Sequence, residues 1–420
     1  MRSNHPVLMF CFVFSFYILL TSDASPLRSQ NSLAGDSLCT VNLNTEQPAL
    51  LIELMHYIKN THGYYSIKVG NPLEISELIT INQKDTTLNR MIDELLAHAV
   101  YKYLSGIMQA TADGTVIKGN DAYRAAFISL PWKEIDMSAG YINRLAEYFT
   151  HGGEDAAMEI VKNLGSNKLA AEDSVFRKVN DYLPAECRVN GSVTIYTVID
   201  GNRGSFAEGN DIVMELSSYD RANPGLFLNT AAHEMHHVLY GNWLGMYYSD
   251  SGLTSAEKMI FDWQMRMIYE GSAQLVNCST YSQEVKELYN NRSLIAELFE
   301  MWISRFTKLY SSDDAEAEYS ELRKYLYNTF AEELLKKYGG ENYKELMSHR
   351  PTIDYYISYH IYNTIYSANG PEGLKHVLLH PEELLSSFNE SFGGESILPR
   401  IPESTVTIWK DVLQRSKKAR

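Results

Sequence analysis

The sequence predicts a mainly α-helical protein of the α+β class: a helical, bundle-like body with a small β-sheet or hairpin. Two observations lead to this prediction. Apolar residues recur with a helical period over about residues 47–182 and again after residue 223, whereas residues 192–199 and 211–216 are rich in β-branched and apolar side chains. The chain has 420 residues, of which 45% are hydrophobic and 21% charged, an ordinary composition for a globular protein.

The two predicted strands lie directly before the most informative part of the chain. Residues 200–204 between them have turn chemistry, so the strands are expected to form a hairpin. Val213, Met214 and Glu215 in the second strand are a candidate edge to which an extended peptide substrate could add as a further strand. An ordinary hairpin strand in a small sheet explains the same pattern equally well.

The helices after the strands have clear start and stop signals. Asn223 is a good N-cap with Pro224 at the first helical position, and Gly241 is expected to end that helix. Thr254 is expected to cap a long helix that runs to about Cys278. Further helical patterns cover residues 282–308, 314–337, 352–368 and 371–390.

The domain organisation is predicted in three parts. Residues 1–24 are expected to be a signal peptide, because the apolar run 7–20 is short for a bilayer span and small residues precede a cleavage point after Ala24. A retained signal anchor is the alternative. Residues 25–185 would form a helical N-terminal region and residues 186–420 the catalytic region. The mature chain is therefore expected to be secreted and extracellular, or periplasmic in a bacterium, with no stable membrane span.

The charge and cysteine content exclude some classes of function. The chain has 37 Lys and Arg against 52 Asp and Glu, a formal net charge of −15. Phosphate backbones would repel so acidic a chain, so nucleic acid is not expected as a partner. Only Cys39, Cys187 and Cys278 remain after the predicted signal peptide, too few for a disulfide framework.

The motif that indicates chemistry is H-E-x-x-H, formed by His233, Glu234 and His237 within a predicted helix. Residues four apart lie on one face of a helix, so the two imidazoles can bind one Zn²⁺ ion. Glu234 can take a proton from a water molecule as general base. His236 could pair with His233 instead, and three histidines on a solvated helix face are the structural alternative.

A third metal ligand must come from elsewhere in the chain. Glu257, Asp262 and Glu270 are the candidates, and Glu270 is favoured because it lies on the narrow polar stripe of an otherwise apolar helix. A carboxylate on a buried helix is costly unless it meets a cation. Zinc would be such a cation, and pairing with Arg266 is the alternative. Gln274, one turn later, is expected to orient a zinc-bound histidine.

These residues carry a family resemblance. The run His233-Glu-Met-His-His237 followed by Glu270-Gly-Ser-Ala273 resembles the gluzincin type of zinc metallopeptidase, and the E-G-x-A form resembles a group of predicted zinc-dependent proteases. The resemblance extends over roughly residues 190–390. It implies a single zinc ion held by two histidines and a downstream glutamate. The chain departs from the pattern at Gln274, where such enzymes usually have an aspartate.

The resemblance also implies a Tyr or His that stabilises the developing oxyanion, from a helix well after the third ligand. Tyr355, Tyr356, Tyr359 and His360 lie close together in one predicted helix. Tyr356, Tyr359 and His360 share an α-helical face, which favours Tyr359 or His360 as this catalytic group. The alternative is that a tyrosine-rich helix is only core, since the chain has 29 Tyr.

The function expected from these residues is that of a secreted zinc peptidase acting on peptides or proteins. His233, His237 and Glu270 would hold the metal, and Glu234 would transfer protons. Two other functions fit the same motif: a catalytically inactive exported binding or inhibitory protein on a metalloprotease scaffold, and a zinc hydrolase acting on something other than peptides.

Overall fold

The computed structural model describes residues 39–62, 83–106, 108–112, 115–129, 145, 148–149, 151–187, 191–200, 204–219, 224–344, 346–393 and 396–418. The predicted signal peptide and the N-cap candidate Asn223 lie outside these described residues. The protein is mainly helical with a small four-stranded sheet, which confirms the predicted fold class. Within the described ranges, no helix is both long enough and apolar enough to cross a membrane.

The chain divides into two compact units. Unit 2 comprises the described residues of Val41–Asp173 and Val193–Phe227. Unit 1 comprises those of Ser174–Ser192 and Leu228–Arg420, together with Cys39 and Thr40. Unit 2 therefore includes strands from both sides of the predicted boundary between residues 185 and 186.

The first half of the described chain alternates helices with short strands. The elements are β1 (Thr40–Asn44), α1 (Glu46–His62), α2 (Thr86–Leu96), α3 (Tyr101–Leu104), β2 (Gln109–Ala112), β3 (Thr115–Lys118), α4 (Gly119–Ser129), α5 (Gly153–Ser166), α6 (Lys168–Tyr182), β4 (Ser192–Val198), β5 (Phe206–Glu208) and β6 (Asp211–Glu215). Strands β2 and β3 form an antiparallel pair of their own, and the other four form one sheet in the order β1-β4-β6-β5.

The predicted hairpin between residues 192–199 and 211–216 is wrong. Strands β4 and β6 pair in parallel, from Thr194 opposite Asp211 to Val198 opposite Glu215. The hairpin is instead formed by β5 and β6, which are antiparallel around a two-residue turn that begins at Gly209. Gly209 has a φ of 61°, and this left-handed backbone is the conformation that such a turn requires.

The predicted substrate edge at Val213, Met214 and Glu215 is also wrong. These residues belong to β6, which lies between β4 and β5, so both sides of the strand take part in the sheet. The three side chains are buried. Among the strands of the described residues, β1 and β5 are the edges of this sheet.

The second half of the described chain is helical. Its α-helices are α7 (Pro224–Tyr247), α8 (Ser255–Asn277), α9 (Gln283–Tyr289), α10 (Arg292–Tyr310), α11 (Ala315–Lys324), α12 (Ala331–Tyr338), α13 (Ser358–Leu379), α14 (Leu384–Glu390) and α15 (Glu403–Ser416). Two stretches with the wider turn of a π-helix occur, at Tyr325–Phe330 and at Ile353–Ile357. The second, which leads directly into α13, is called the π segment below.

Helix α7 begins at Pro224 as predicted but does not end at Gly241. Gly241 keeps helical backbone angles, and a Cβ atom there would lie 2.5 Å from the hydroxyl of Tyr269. The glycine is therefore a place where a large side chain of α8 packs closely on α7, and not a helix stop. The helix continues to Tyr247 because this packing, rather than local propensity, decides its length.

Helix α8 follows the prediction closely. The Thr254 side chain accepts from the amide of Glu257 while the Glu257 carboxylate accepts from the amide of Thr254, a complete capping box. Most of the helix is buried, as its apolar sequence indicated. It packs against α13 and the π segment, and these contacts position the candidate site.

Candidate metal centre

Helix α7 presents two imidazoles to one point. The Nε2 atoms of His233 and His237 lie 3.0 Å apart, as their spacing of four residues predicted. Their neighbours Ala231, Ala232 and Met235 are fully buried and hold this part of the helix in the core. The third histidine, His236, does not join the pair; it is fully buried and packs edge-on against Tyr240.

Helix α8 brings a carboxylate to the same point. Oε2 of Glu270 lies 3.4 Å from Nε2 of His237 and 3.7 Å from Nε2 of His233. Within the part of the chain that the structure describes, these three residues are the one group of His, Cys, Asp or Glu side chains that could hold a metal ion, with all donor atoms within 4.8 Å of one another.

The donor set fits a zinc ion. In a tetrahedral site with metal–ligand distances of about 2.05 Å, ligand atoms lie about 3.3 Å apart, close to the spacings seen here. Three donor atoms converge on one small volume: the two facing Nε2 atoms of the imidazoles and one carboxylate oxygen. Such a convergence in the protein interior is costly unless a cation occupies it.

The electrostatics of the three residues suit the same role. Burial, helped by the charge of His237, lowers the pKa of His233 to about 4, so its imidazole is neutral. Burial would also lower the pKa of His237, but the Glu270 carboxylate raises it. Burial alone would raise the pKa of Glu270, yet the two histidines and the nearby Tyr355 hydroxyl hold that pKa below its ordinary value, so the carboxylate is ionised.

Two more side chains lie beside the cluster. Glu234 follows His233 on α7, is 5% exposed, and its charge acts on both His237 and Tyr355. Tyr355, in the π segment, interacts with the Glu270 carboxylate and acts to lower the pKa of that group. Burial, and then the charges of Glu270 and Glu234, raise the pKa of Tyr355 well above its ordinary value, so its hydroxyl remains a donor.

Comparison with known protein families identifies the group to which this site belongs. Residues 92–392 match the family model described as "Putative zinc dependent peptidase (DUF5700)". The match covers well over half of the chain. The chain belongs to this family. Searches of curated proteins and of solved structures each returned no match.

The DUF5700 match includes the whole cluster and the elements that carry it, from α7 to the π segment and α13. Its description agrees with the zinc-dependent peptidase expected from the H-E-x-x-H sequence. The family assignment and the buried His-His-Glu cluster therefore point to the same cofactor class.

The other candidates for the third ligand lie away from the cluster. Glu257 completes the capping box of α8 and forms an ion pair with Arg415. Asp262 pairs with Arg266 at 3.2 Å and accepts from the hydroxyl of Tyr319. Arg266 is thus the partner of Asp262, so the alternative in which it neutralises Glu270 is wrong.

Gln274 does not contact a histidine, which corrects its predicted role. Its Oε1 atom accepts hydrogen bonds from the hydroxyls of Tyr281 and Tyr289. The group that faces the His233 imidazole is the backbone carbonyl of Ala273, which acts to raise the pKa of that histidine. A backbone carbonyl leaves no signature in the sequence, so residue types alone could not have identified it.

The structure does not bring the predicted Tyr359 and His360 to the cluster; the tyrosine of this stretch that interacts with Glu270 and Glu234 is Tyr355. Nε2 of His360 lies 2.6 Å from the backbone carbonyl of Tyr289, and Tyr359 interacts electrostatically with Cys278. The prediction assumed α-helical spacing. Residues 353–357 form a π-helix, whose wider turn changes which side chains share a face.

Proposed function

We propose that this protein is an exported, gluzincin-type zinc peptidase in which His233, His237 and Glu270 hold one zinc ion. The observation that carries the proposal is that these three side chains converge while Glu234 and Tyr355 lie beside them. A bound zinc ion supplies Lewis acidity, which polarises a carbonyl and lowers the pKa of water.

Glu234 is the proton carrier in this proposal. Glu234 directly follows His233 along α7. Successive residues of an α-helix project in different directions around its axis, so Glu234 need not coordinate the same metal ion. Its carboxylate accepts a proton from the water that adds to the scissile carbonyl carbon. It then delivers that proton to the amide nitrogen as the carbon–nitrogen bond breaks, which leaves a carboxylic acid and an amine.

Tyr355 is the electrophilic partner in this proposal. Negative charge develops on the carbonyl oxygen as water adds, and a preorganised donor in a buried site stabilises that charge. The Tyr355 hydroxyl is held beside Glu270 and keeps its proton because its pKa is raised. It can therefore donate a hydrogen bond to the carbonyl oxygen as the charge develops.

The substitution Glu234→Gln tests the proposal. Turnover of a mixed peptide library should fall by at least about 10³-fold because the proton carrier is lost, while zinc content stays at one ion per chain. Zinc is measured by mass spectrometry of the metal, and turnover by the appearance of new amino termini. The exposed Glu300→Gln on α10 is the matched control and should behave as wild type.

Two results would contradict the proposal. A Glu234→Gln protein that folds but loses its zinc would make Glu234 a ligand rather than a proton carrier. Wild-type protein that binds zinc but cleaves no member of the library would favour a binding or inhibitory protein, or a hydrolase of other substrates.

Export is proposed from the sequence of residues 1–24. The predicted cleavage after Ala24 gives a mature chain that begins at Ser25. We expect expression of the full-length gene in its own host to yield extracellular or periplasmic protein with Ser25 as its amino terminus. N-terminal sequencing measures this, and an intact Met1 on protein retained in the membrane would indicate a signal anchor.

A further inference from the structure

The residue after the third ligand has no side chain, and the structure leaves no room for one. A Cβ atom on Gly271 would lie 2.5 Å from Cβ of Ser358 and 2.7 Å from Cδ2 of Tyr362. Non-bonded carbon atoms pack at about 3.5–4.0 Å, so any other residue here forces the two helices apart. At Gly271, α8 therefore lies too close to the start of α13 to leave room for a side chain.

Ser358, the residue that Gly271 contacts, fixes the end of the π segment. It is fully buried. Its amide donates to the carbonyl of Ile353, five residues earlier, which is the π-helical hydrogen bond. Its hydroxyl donates to the carbonyl of Asp354. A displacement of Ser358 therefore moves the backbone on both sides of Tyr355.

Tyr355 and Glu270 meet next to this contact. Glu270 precedes Gly271 on α8, Tyr355 lies within the π segment that Ser358 ends, and the Tyr355 and Glu270 side chains interact electrostatically. The close approach at Gly271 and the position of the Tyr355 hydroxyl are thus set by the same pair of elements.

We propose that Gly271 is a positioning residue: its missing side chain lets the π segment approach α8 closely enough to place the Tyr355 hydroxyl beside the metal cluster. The inference rests on the proposed function of Tyr355. A methyl group at residue 271 would displace Ser358 by about 1 Å, from 2.5 Å toward a normal contact. A misplacement of about 1 Å is enough to lower a catalytic rate about 10²-fold.

The variant Gly271→Ala is the first test. We expect kcat to fall by about 10- to 100-fold with zinc content still at one ion per chain, because the two histidines on α7 and the Glu270 side chain keep their places. The matched control is Gly245→Ala, an exposed glycine in α7 with no atom within 4 Å of the added Cβ. The control should retain wild-type kcat and KM.

A comparison in the Tyr355→Phe background separates positioning from general damage. If Gly271 acts through the Tyr355 hydroxyl, adding Gly271→Ala to Tyr355→Phe should change kcat by less than about twofold, because the group being positioned is already absent. If Gly271→Ala lowers kcat equally in both backgrounds, the glycine does not act through Tyr355 and the inference is overturned.

Ser358→Ala provides the same test without new bulk, in case Gly271→Ala does not fold. It keeps the Cβ contact with Gly271 but removes the hydrogen bond to the Asp354 carbonyl. We expect it to lower kcat in the wild-type background and not in Tyr355→Phe.

If Tyr355→Phe itself retains full kcat, the proposed function of Tyr355 fails and this inference fails with it. If Tyr355→Phe loses kcat while Gly271→Ala and Ser358→Ala retain it, only the inference fails.

Discussion

At the scale of single residues, the site is organised around one buried carboxylate. Glu270 is 7% exposed and stays ionised because two imidazoles and the Tyr355 hydroxyl surround it. An isolated carboxylate with this burial would instead take up a proton. Glu270 is therefore both a candidate metal ligand and the carboxylate that keeps the Tyr355 hydroxyl protonated.

Tyr355→Phe should lower kcat by about 10²–10³-fold while zinc content stays unchanged, since it removes only the proposed donor to the developing oxyanion. Steady-state kinetics on a single cleaved peptide measures this. Tyr359→Phe is the matched control, because the groups that act on Tyr359 are Cys278 and Tyr182 and not the members of the cluster. An equal loss in both variants would mean that tyrosine packing, and not the Tyr355 hydroxyl, matters for turnover.

At the scale of elements, the small sheet of unit 2 contains a buried pair of carboxyl groups. Glu215, at the end of β6, accepts from the amides of Asp200 and Ser217 at 2.6 and 3.0 Å. Asp200 in turn accepts from the Tyr123 hydroxyl at 2.7 Å. Glu215 and Asp200 are each 1% exposed, so two negative charges at this place would repel each other with little screening.

This pair should make the stability of unit 2 depend on pH. Burial, and then the charge of Asp200, raise the pKa of Glu215 to about 8. The unfolded value is about 4.3. Between these values the folded protein holds a proton that the unfolded chain releases, so the free energy of unfolding falls as pH rises, by up to about 1.4 kcal/mol per pH unit.

Urea unfolding between pH 5 and 8 measures this slope. Glu215→Gln should flatten it, because the amide does not titrate. Glu53→Gln, on the exposed side of α1, should keep the wild-type slope. If wild type and Glu215→Gln have equal slopes, Glu215 is ionised in the folded protein.

At the scale of the whole molecule, the cluster joins two long helices of unit 1. His233 and His237 come from α7, and Glu270 comes from α8. A metal ion that binds the folded chain and not the unfolded one stabilises the fold, by about 4 kcal/mol when its concentration is 1,000 times Kd. Zinc is therefore expected to contribute to stability as well as to chemistry.

Removal of metal by a chelator should lower Tm by several degrees, and added zinc should restore it. Differential scanning calorimetry measures both changes. Glu270→Ala should already have the lower Tm and should not respond to the chelator. Asp262→Ala should still respond, because Asp262 pairs with Arg266 outside the cluster. If the chelator still lowers the Tm of Glu270→Ala but no longer lowers that of Asp262→Ala, then Asp262 and not Glu270 is the metal ligand.

Local signals in the sequence were sufficient for much of this fold and site. The helical period identified the class, Thr254 identified the start of α8, and a spacing of four placed His233 and His237 on one face. These features depend on interactions within about one helical turn. Their physical cause can therefore be found in a few neighbouring residues.

Only the tertiary structure decided which distant residues meet. Strands β4 and β6 pair in parallel although β5 lies between them along the chain. The length of α7 depends on the Tyr269 ring that packs over Gly241. The choice of Tyr355 depends on a π-helical turn that α-helical periodicity cannot anticipate. In each case the deciding energy comes from packing between separate elements. The sequence by itself determined the pair of histidines and their glutamate neighbour, and the packing of α7, α8 and the π segment determined what surrounds them.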